Sequence, residues 1–163
     1  MDIKLDSDFC LDEAPWMQWR DIKYGVEHGF LSPHGAVKYA VKNLTLDSSV
    51  EHYELAGLAG NEVNEVMRHI NNLAAEFPKD AEETEKVWIF LIFLWLYRNK
   101  DSYEDPLAVV EELYADLGYP ESVSSFVRYM PAADASFEGD ERLFKNWSKI
   151  LDLLRTELQI KQE

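Results

Sequence analysis

The sequence predicts an all-α fold: a single-domain, irregular bundle of about seven or eight helices around a central apolar helix at residues 81–100. Three observations predict it. An eleven-residue apolar run, Val87 to Tyr97, has helix-forming flanks; a 3.6-periodic stripe runs near the C-terminus; and two prolines directly follow capping residues. No run alternates with period two, and the hairpin dipeptide Asn-Gly is absent. A chain of 163 residues suits one domain spanning 1–163, and 47% hydrophobic content is too apolar for a disordered chain. Residues 1–15 are expected to form a loosely ordered N-terminal segment.

The elements follow in order. A short helix is expected at 19–29, with Trp19, Ile22 and Val26 on its buried stripe. Ser32–Pro33 opens a second helix, Ser as cap and Pro at the first helical position, carrying Ala36, Val37, Ala40, Val41 and Leu44. Asn61 is the expected cap of a helix bearing Val63, Val66, Met67, Ile70, Leu73, Ala74 and Phe77, ended by Pro78. Asp80 with Glu83 three residues on has the shape of a capping box, and the acids of AEETEK suit the positive end of a helix dipole. The helix this opens is apolar all round and so expected at the centre. Its apolar run is far short of the roughly 20 residues a membrane span needs. Asp105–Pro106 opens the helix with Leu107, Val109, Val110 and Leu113, ending at Gly118; a short helix is expected at 121–129. Asp140 is the expected cap of a helix over about 141–160, where Leu143, Phe144, Trp147, Ile150, Leu151, Leu154 and Leu158 draw one stripe. Pro33–Leu44 and Pro106–Leu117 share a loose pattern, but one pair is not a period, and a bundle remains the expectation over a solenoid.

Residue chemistry offers no catalytic constellation. The four histidines, His28, His34, His52 and His69, form no i, i+4 pair of the HExxH kind and are expected to be unrelated and mostly exposed. Cys10 is the one cysteine; it excludes an internal disulfide or thiolate zinc site, and no cation stands beside it to lower its pKa. GxSxG, Walker and GxGxxG motifs are absent. Acidic pairs such as Glu82–Glu83 and Glu111–Glu112 lie in polar surroundings, where burial cannot separate their pKa values for acid–base work. The expectation is a non-enzymatic protein with no metal and no cofactor.

Charge is the informative property. The formal net charge is −15, which disfavours direct nucleic-acid binding. Residues 1–13 carry −4, 14–100 carry −3, 101–141 carry −10 with Arg128 the sole base, and 142–163 carry +2. The acidic quarter also holds Tyr103, Tyr114, Tyr119, Phe126, Tyr129 and Phe137. Acids interleaved with aromatics suit a basic partner, since charge steers encounter and aromatics anchor the complex. Solubility alone also accounts for such a face. The candidate partner-binding residues are Glu104, Asp105, Glu111, Glu112, Asp116 and Glu121, with Arg128 and Tyr129 as anchors. Arg128 is most simply an ion-pair partner for a nearby helix. The opening MDIKLDSDFC lacks the basic and apolar regions of a secretory signal, so a cytoplasmic protein is expected, acting on neither membrane nor nucleic acid.

Three stretches, Trp19–Pro33 (WRDIKYGVEHGFLSP), Asp105–Pro120 (DPLAVVEELYADLGYP) and Phe126–Pro131 (FVRYMP), together resemble the uncharacterised bacterial family catalogued as domain of unknown function 2247. The resemblance extends over nearly the whole chain and brings no established catalytic activity with it. Some members of that family occur near polymorphic toxin genes, which implies an immunity protein that neutralises a basic toxin through an acidic surface. The alternatives are a regulatory or adaptor protein for another partner, or an enzyme with a site assembled from distant residues.

Overall fold

The computed structural model describes residues 3–59, 61–76, 81–128 and 139–162. Among them are eight α-helices and two 3-10 turns, with no strand, so the fold is all-α as the sequence predicts. The chain gathers into two compact units, residues 2–91 and 92–161.

The first unit holds α1 (Ser7–Glu13), α2 (Trp19–Glu27), α3 (Pro33–Lys42), α4 (Val50–Ala56), α5 (Val63–Ala74) and the first half of α6 (Ala81–Arg98). Helix α1 corrects the expectation of a loose N-terminal segment. Asp6 caps it by accepting from Asp8 N at 2.9 Å, and Leu5, Cys10, Leu11 and Ala14 are buried. Four buried apolar residues in ten outweigh the acids, which stay at the surface; Asp8 and Asp12 reach Lys38 and Lys42 of α3 at 3.5 and 3.3 Å. Cys10 is therefore an enclosed core residue, its thiol pushed up to about 12 by burial.

Ser32 caps α3 at Gly35 N, 3.0 Å, with Pro33 at the first position as expected. Ala36, Val37, Tyr39 and Ala40 are buried, whereas Val41, expected on the same stripe, is exposed. Helix α4 went unpredicted: it has seven residues, too short to show a period, and is set by Ser49 accepting from His52 N. Helix α5 starts one residue later than Asn61 capping requires. Glu62 is its cap residue and turns its side chain back to Ala59 N at 3.1 Å. Of the expected face Val66, Ile70, Leu73 and Ala74 are buried, whereas Met67 is half-buried and Val63 is exposed. Asp80 and Pro78 lie outside the described residues.

Helix α6 is buried from Val87 to Leu94 and at Leu96, with Val87–Leu91 in the first unit. Trp88 is fixed there by donating Nε1–H to the Asp21 carbonyl at 2.8 Å. Gly25 of α2 makes that approach possible, because a Cβ on it would overlap the Trp88 ring.

The second unit contains the rest of α6 from Ile92, a 3-10 turn Lys100–Ser102, α7 (Pro106–Asp116), a 3-10 turn Glu121–Phe126 and α8 (Gly139–Gln162). Its core is aromatic. Phe126 stacks on Trp147 at 5.5 Å and meets the edge of Phe93 at 5.5 Å, while Trp147 donates to the Phe93 carbonyl at 3.2 Å. Leu151, Leu154 and Leu158 continue the buried stripe of α8. Asp140, expected as its cap, lies inside the helix. The expected helix at 121–129 is a 3-10 turn over its first six residues, with Val123 N–H donating to the Pro120 carbonyl and Val127 N–H to the Ser124 carbonyl.

Candidate functional site

The acidic segment takes its geometry from α7. Asp105 accepts from Ala108 N at 3.3 Å and Pro106 occupies the first helical position. Leu107, Val110, Leu113 and Tyr114 then face inward, and a period of 3.6 residues leaves Glu112 and Asp116 in solvent. Glu104 before the helix and Glu121 after it are also exposed, whereas Glu111 is half-buried. Gly118 at φ 81° stops the helix and is followed by Tyr119 in the left-handed region at φ 59°, its N–H donating to the Tyr114 carbonyl at 2.8 Å. This backbone turns the Tyr119 side chain outward, 61% exposed.

Arg128 divides the acids into two groups. Its guanidinium grips both carboxylate oxygens of Asp105 at 2.8 and 3.0 Å, and its Nε donates to Glu111 at 3.1 Å. These bonds hold the Asp105 carboxyl below its ordinary range and raise the arginine. Arg128 is thus the ion-pair partner the sequence suggested, tying α7 to the segment after the second 3-10 turn. Asp105 and Glu111 are occupied with it, and Glu104, Glu112, Asp116 and Glu121 are exposed. Tyr129, the other expected anchor, lies outside the described residues. Among the described residues of this segment the exposed aromatic is Tyr119.

Two polar constellations in the first unit escaped sequence reasoning. His69 and His52 are buried, against the expectation of mostly exposed histidines; His28 and His34 are exposed. His69 meets Glu51 through Nδ1 at 2.8 Å and faces Glu54 through Nε2 at 3.8 Å, while Asn72 also donates to Glu51 at 2.8 Å. The Asn72 and His69 bonds lower the Glu51 carboxyl. The ligand atoms of Glu51, Glu54 and His69 lie within 4.8 Å of one another, the one such group among the described residues. The two carboxylates approach opposite nitrogens of one ring, which describes a hydrogen-bonded clamp between α4 and α5 better than a shared centre.

The second constellation joins α2 to the first turn of α6. Asp21 is fully buried; its Oδ2 accepts from Gln18 N at 2.9 Å, closing a capping box. Arg20 reaches Glu83 at 3.3 Å, with its Nε 3.9 Å from Asp21 Oδ1. Thr84 is close enough to bias that carboxyl yet outside hydrogen-bonding geometry. Burial pushes Asp21 up to about 6, against the lowering by the Gln18 amide and the Arg20 charge. The one sequence signal was an aspartate on the same face as Ile22 and Gly25.

Residues 7–153 match the family domain of unknown function 2247, described as an uncharacterised protein conserved in bacteria. The chain belongs to this family. No curated protein and no solved structure matches it. The stretches that carry the family resemblance fall on the constellations above: Trp19–Pro33 supplies Arg20 and Asp21, Asp105–Pro120 supplies α7, and Phe126–Pro131 supplies Arg128. Among the described residues no helix is long and apolar enough to cross a membrane.

Proposed function

We propose that this family member is a non-enzymatic binding module whose α7 face docks a basic protein, and that the partner is a toxin domain which it neutralises. The supporting observation is the separation of roles among the acids. Arg128 is engaged by Asp105 and Glu111, so it does not neutralise Glu104, Glu112 and Glu121, which stand in solvent, and the ring of Tyr119 is exposed in the same segment. Such a face attracts cations over about 8 Å at physiological salt and offers an aromatic for the contact that follows. A basic nuclease is a fitting partner, because an acidic protein competes for the surface that holds phosphates.

The test is affinity purification from the native bacterium and kinetics with the stoichiometric partner it yields. Replacing Glu104, Glu112 and Glu121 together by Lys is expected to slow association about tenfold or more at low salt and to flatten its salt dependence. Tyr119→Ala is expected to speed dissociation instead. A partner that associates with the triple variant as fast as with the wild type, at low and high salt alike, overturns the reading.

A further inference from the structure

The clamp between α4 and α5 is closed on one side of the His69 ring and open on the other. His69 lies on the buried face of α5 and is 2% exposed, so the α4 side chains that meet it decide what its two nitrogens do. On the closed side, Nδ1 stands 2.8 Å from Glu51 Oε1. A carboxylate only accepts, and the bonds from Asn72 and His69 hold this one below its ordinary range. Nδ1 therefore carries the hydrogen and donates it. In the neutral ring Nε2 is left with its lone pair.

On the open side that lone pair faces Glu54 Oε2 at 3.8 Å. Neither atom makes a hydrogen bond with any described residue. Two facing acceptors repel each other unless a cation stands between them. The separation tells which cation fits. A proton shared in an N–H···O bond would draw the two atoms to about 2.9 Å. A metal ion about 2.1 Å from each ligand, at the tetrahedral angle, spans about 3.4 Å. The observed gap is nearer the second. Glu54, with 54% of its side chain in solvent, is free to close the remainder. The backing of the ring agrees: a histidine that ligates through one nitrogen almost always donates from the other to a carboxylate or carbonyl, which fixes the ring and raises its basicity. Arg68, the neighbouring cation on α5, is paired with Glu65 at 2.7 Å and bonds to neither carboxylate of α4.

We propose that His69 Nε2 and the Glu54 carboxylate hold a divalent transition ion of the zinc class, with Glu51 orienting the ring from behind and water completing the shell on the solvent side of Glu54. An imidazole nitrogen beside one carboxylate suits zinc and its neighbours, whereas magnesium and calcium call for oxygen ligands. The ion links α4 to α5 inside the first unit, and its site shares no residue with the acidic α7 face. Its two protein ligands stand on different helices, where no spacing of histidines along the chain could have joined them.

The test uses the full chain without an affinity tag, titrated with zinc chloride at about pH 7 and followed by amide and imidazole chemical shifts in nuclear magnetic resonance. One equivalent is expected to shift residues 51–54 and the His69 ring, with Nε2 as the metallated nitrogen and a Kd of about 100 μM or tighter. Magnesium chloride at about 10 mM is expected to leave the His69 ring unmoved. Glu54→Gln, at an exposed position, is expected to keep the fold and to weaken zinc about tenfold or more. Glu51→Gln is expected to weaken it about tenfold through the ring it orients. Replacing the exposed His28 and His34 together by Gln is expected to leave the affinity within about twofold. No zinc binding at about 1 mM, shifts centred on other residues, an equal response to magnesium, or undiminished binding by Glu54→Gln overturns the assignment; in the first case Nε2 takes only a proton or water.

Discussion

Arg128 and Arg20 each stand between two carboxylates, one in each unit, and the two arrangements differ in how fully they close. Arg128 spends three nitrogens on Asp105 and Glu111 at 2.8–3.1 Å while a third of its side chain remains in solvent. Arg20 is only 12% exposed, yet makes one bond, to Glu83 at 3.3 Å, and leaves Nε open beside Asp21. The exposed arginine is complete and the buried one is not. Desolvation is dear where Arg20 sits and slight where Arg128 sits, so a missing bond costs more in the first place than in the second, where the clasp is a tie between segments.

That contrast breaks most easily at Arg20. Arg20→Met removes the cation that faces the largely buried Glu83 and Asp21, and urea denaturation is expected to show a loss of about 2–3 kcal/mol. A loss below about 0.5 kcal/mol would place Arg20 with the dispensable surface ions.

Acid titration sharpens the comparison, because the two sites respond with opposite sign. Asp21 has a folded pKa near 6 against an ordinary value of 3.8, so the folded state holds the extra proton between those values. Its contribution is fully present below about pH 4 and is lost as pH rises through 6, an effect on the order of 2–3 kcal/mol. Asp105 is shifted downward by Arg128, so its contribution is present above its ordinary pKa and is lost as pH falls through the lowered one. Stability measured from pH 3 to 8 is expected to lose its decline between about pH 4 and 6 in Asp21→Asn and to keep it in Asp105→Asn. A decline that survives Asp21→Asn assigns it to other groups.

The smallest effect belongs to Arg128. Its partners are solvated, so Arg128→Met is expected to cost about 1 kcal/mol or less in the same denaturation experiment, despite three hydrogen bonds. A loss above about 3 kcal/mol would show that the clasp on α7 is as desolvated as the Arg20 cluster.

Sequence periodicity captured the long elements because they bury continuous faces: the stripe from Trp147 to Leu158, the all-apolar stretch after Val87, and the Ser32–Pro33 and Asp105–Pro106 starts. It missed α1 and α4, whose seven residues each span too few turns to set a period, and it took a 3-10 turn for a helix after Pro120. The role of Arg128 was legible from its isolation among acids, although which acids it grips was not. The Arg20–Glu83 cluster joins residues 63 apart, and His69 reaches 18 residues back to Glu51. Both depend on helix packing that no local pattern encodes, and a buried aspartate or histidine on an otherwise apolar face is the trace they leave.

Cys10 adds a kinetic consequence. The chain has a single thiol, enclosed in α1 with no exposure, and its pKa near 12 keeps the reactive thiolate scarce at neutral pH. A thiol reagent can modify the intact protein only in the moments when α1 lifts away, so the labelling rate clocks the opening of that one helix. The same seclusion leaves any cysteine introduced at the surface as the sole fast-reacting position, which makes site-specific attachment of a dye or spin label possible without first removing the native residue.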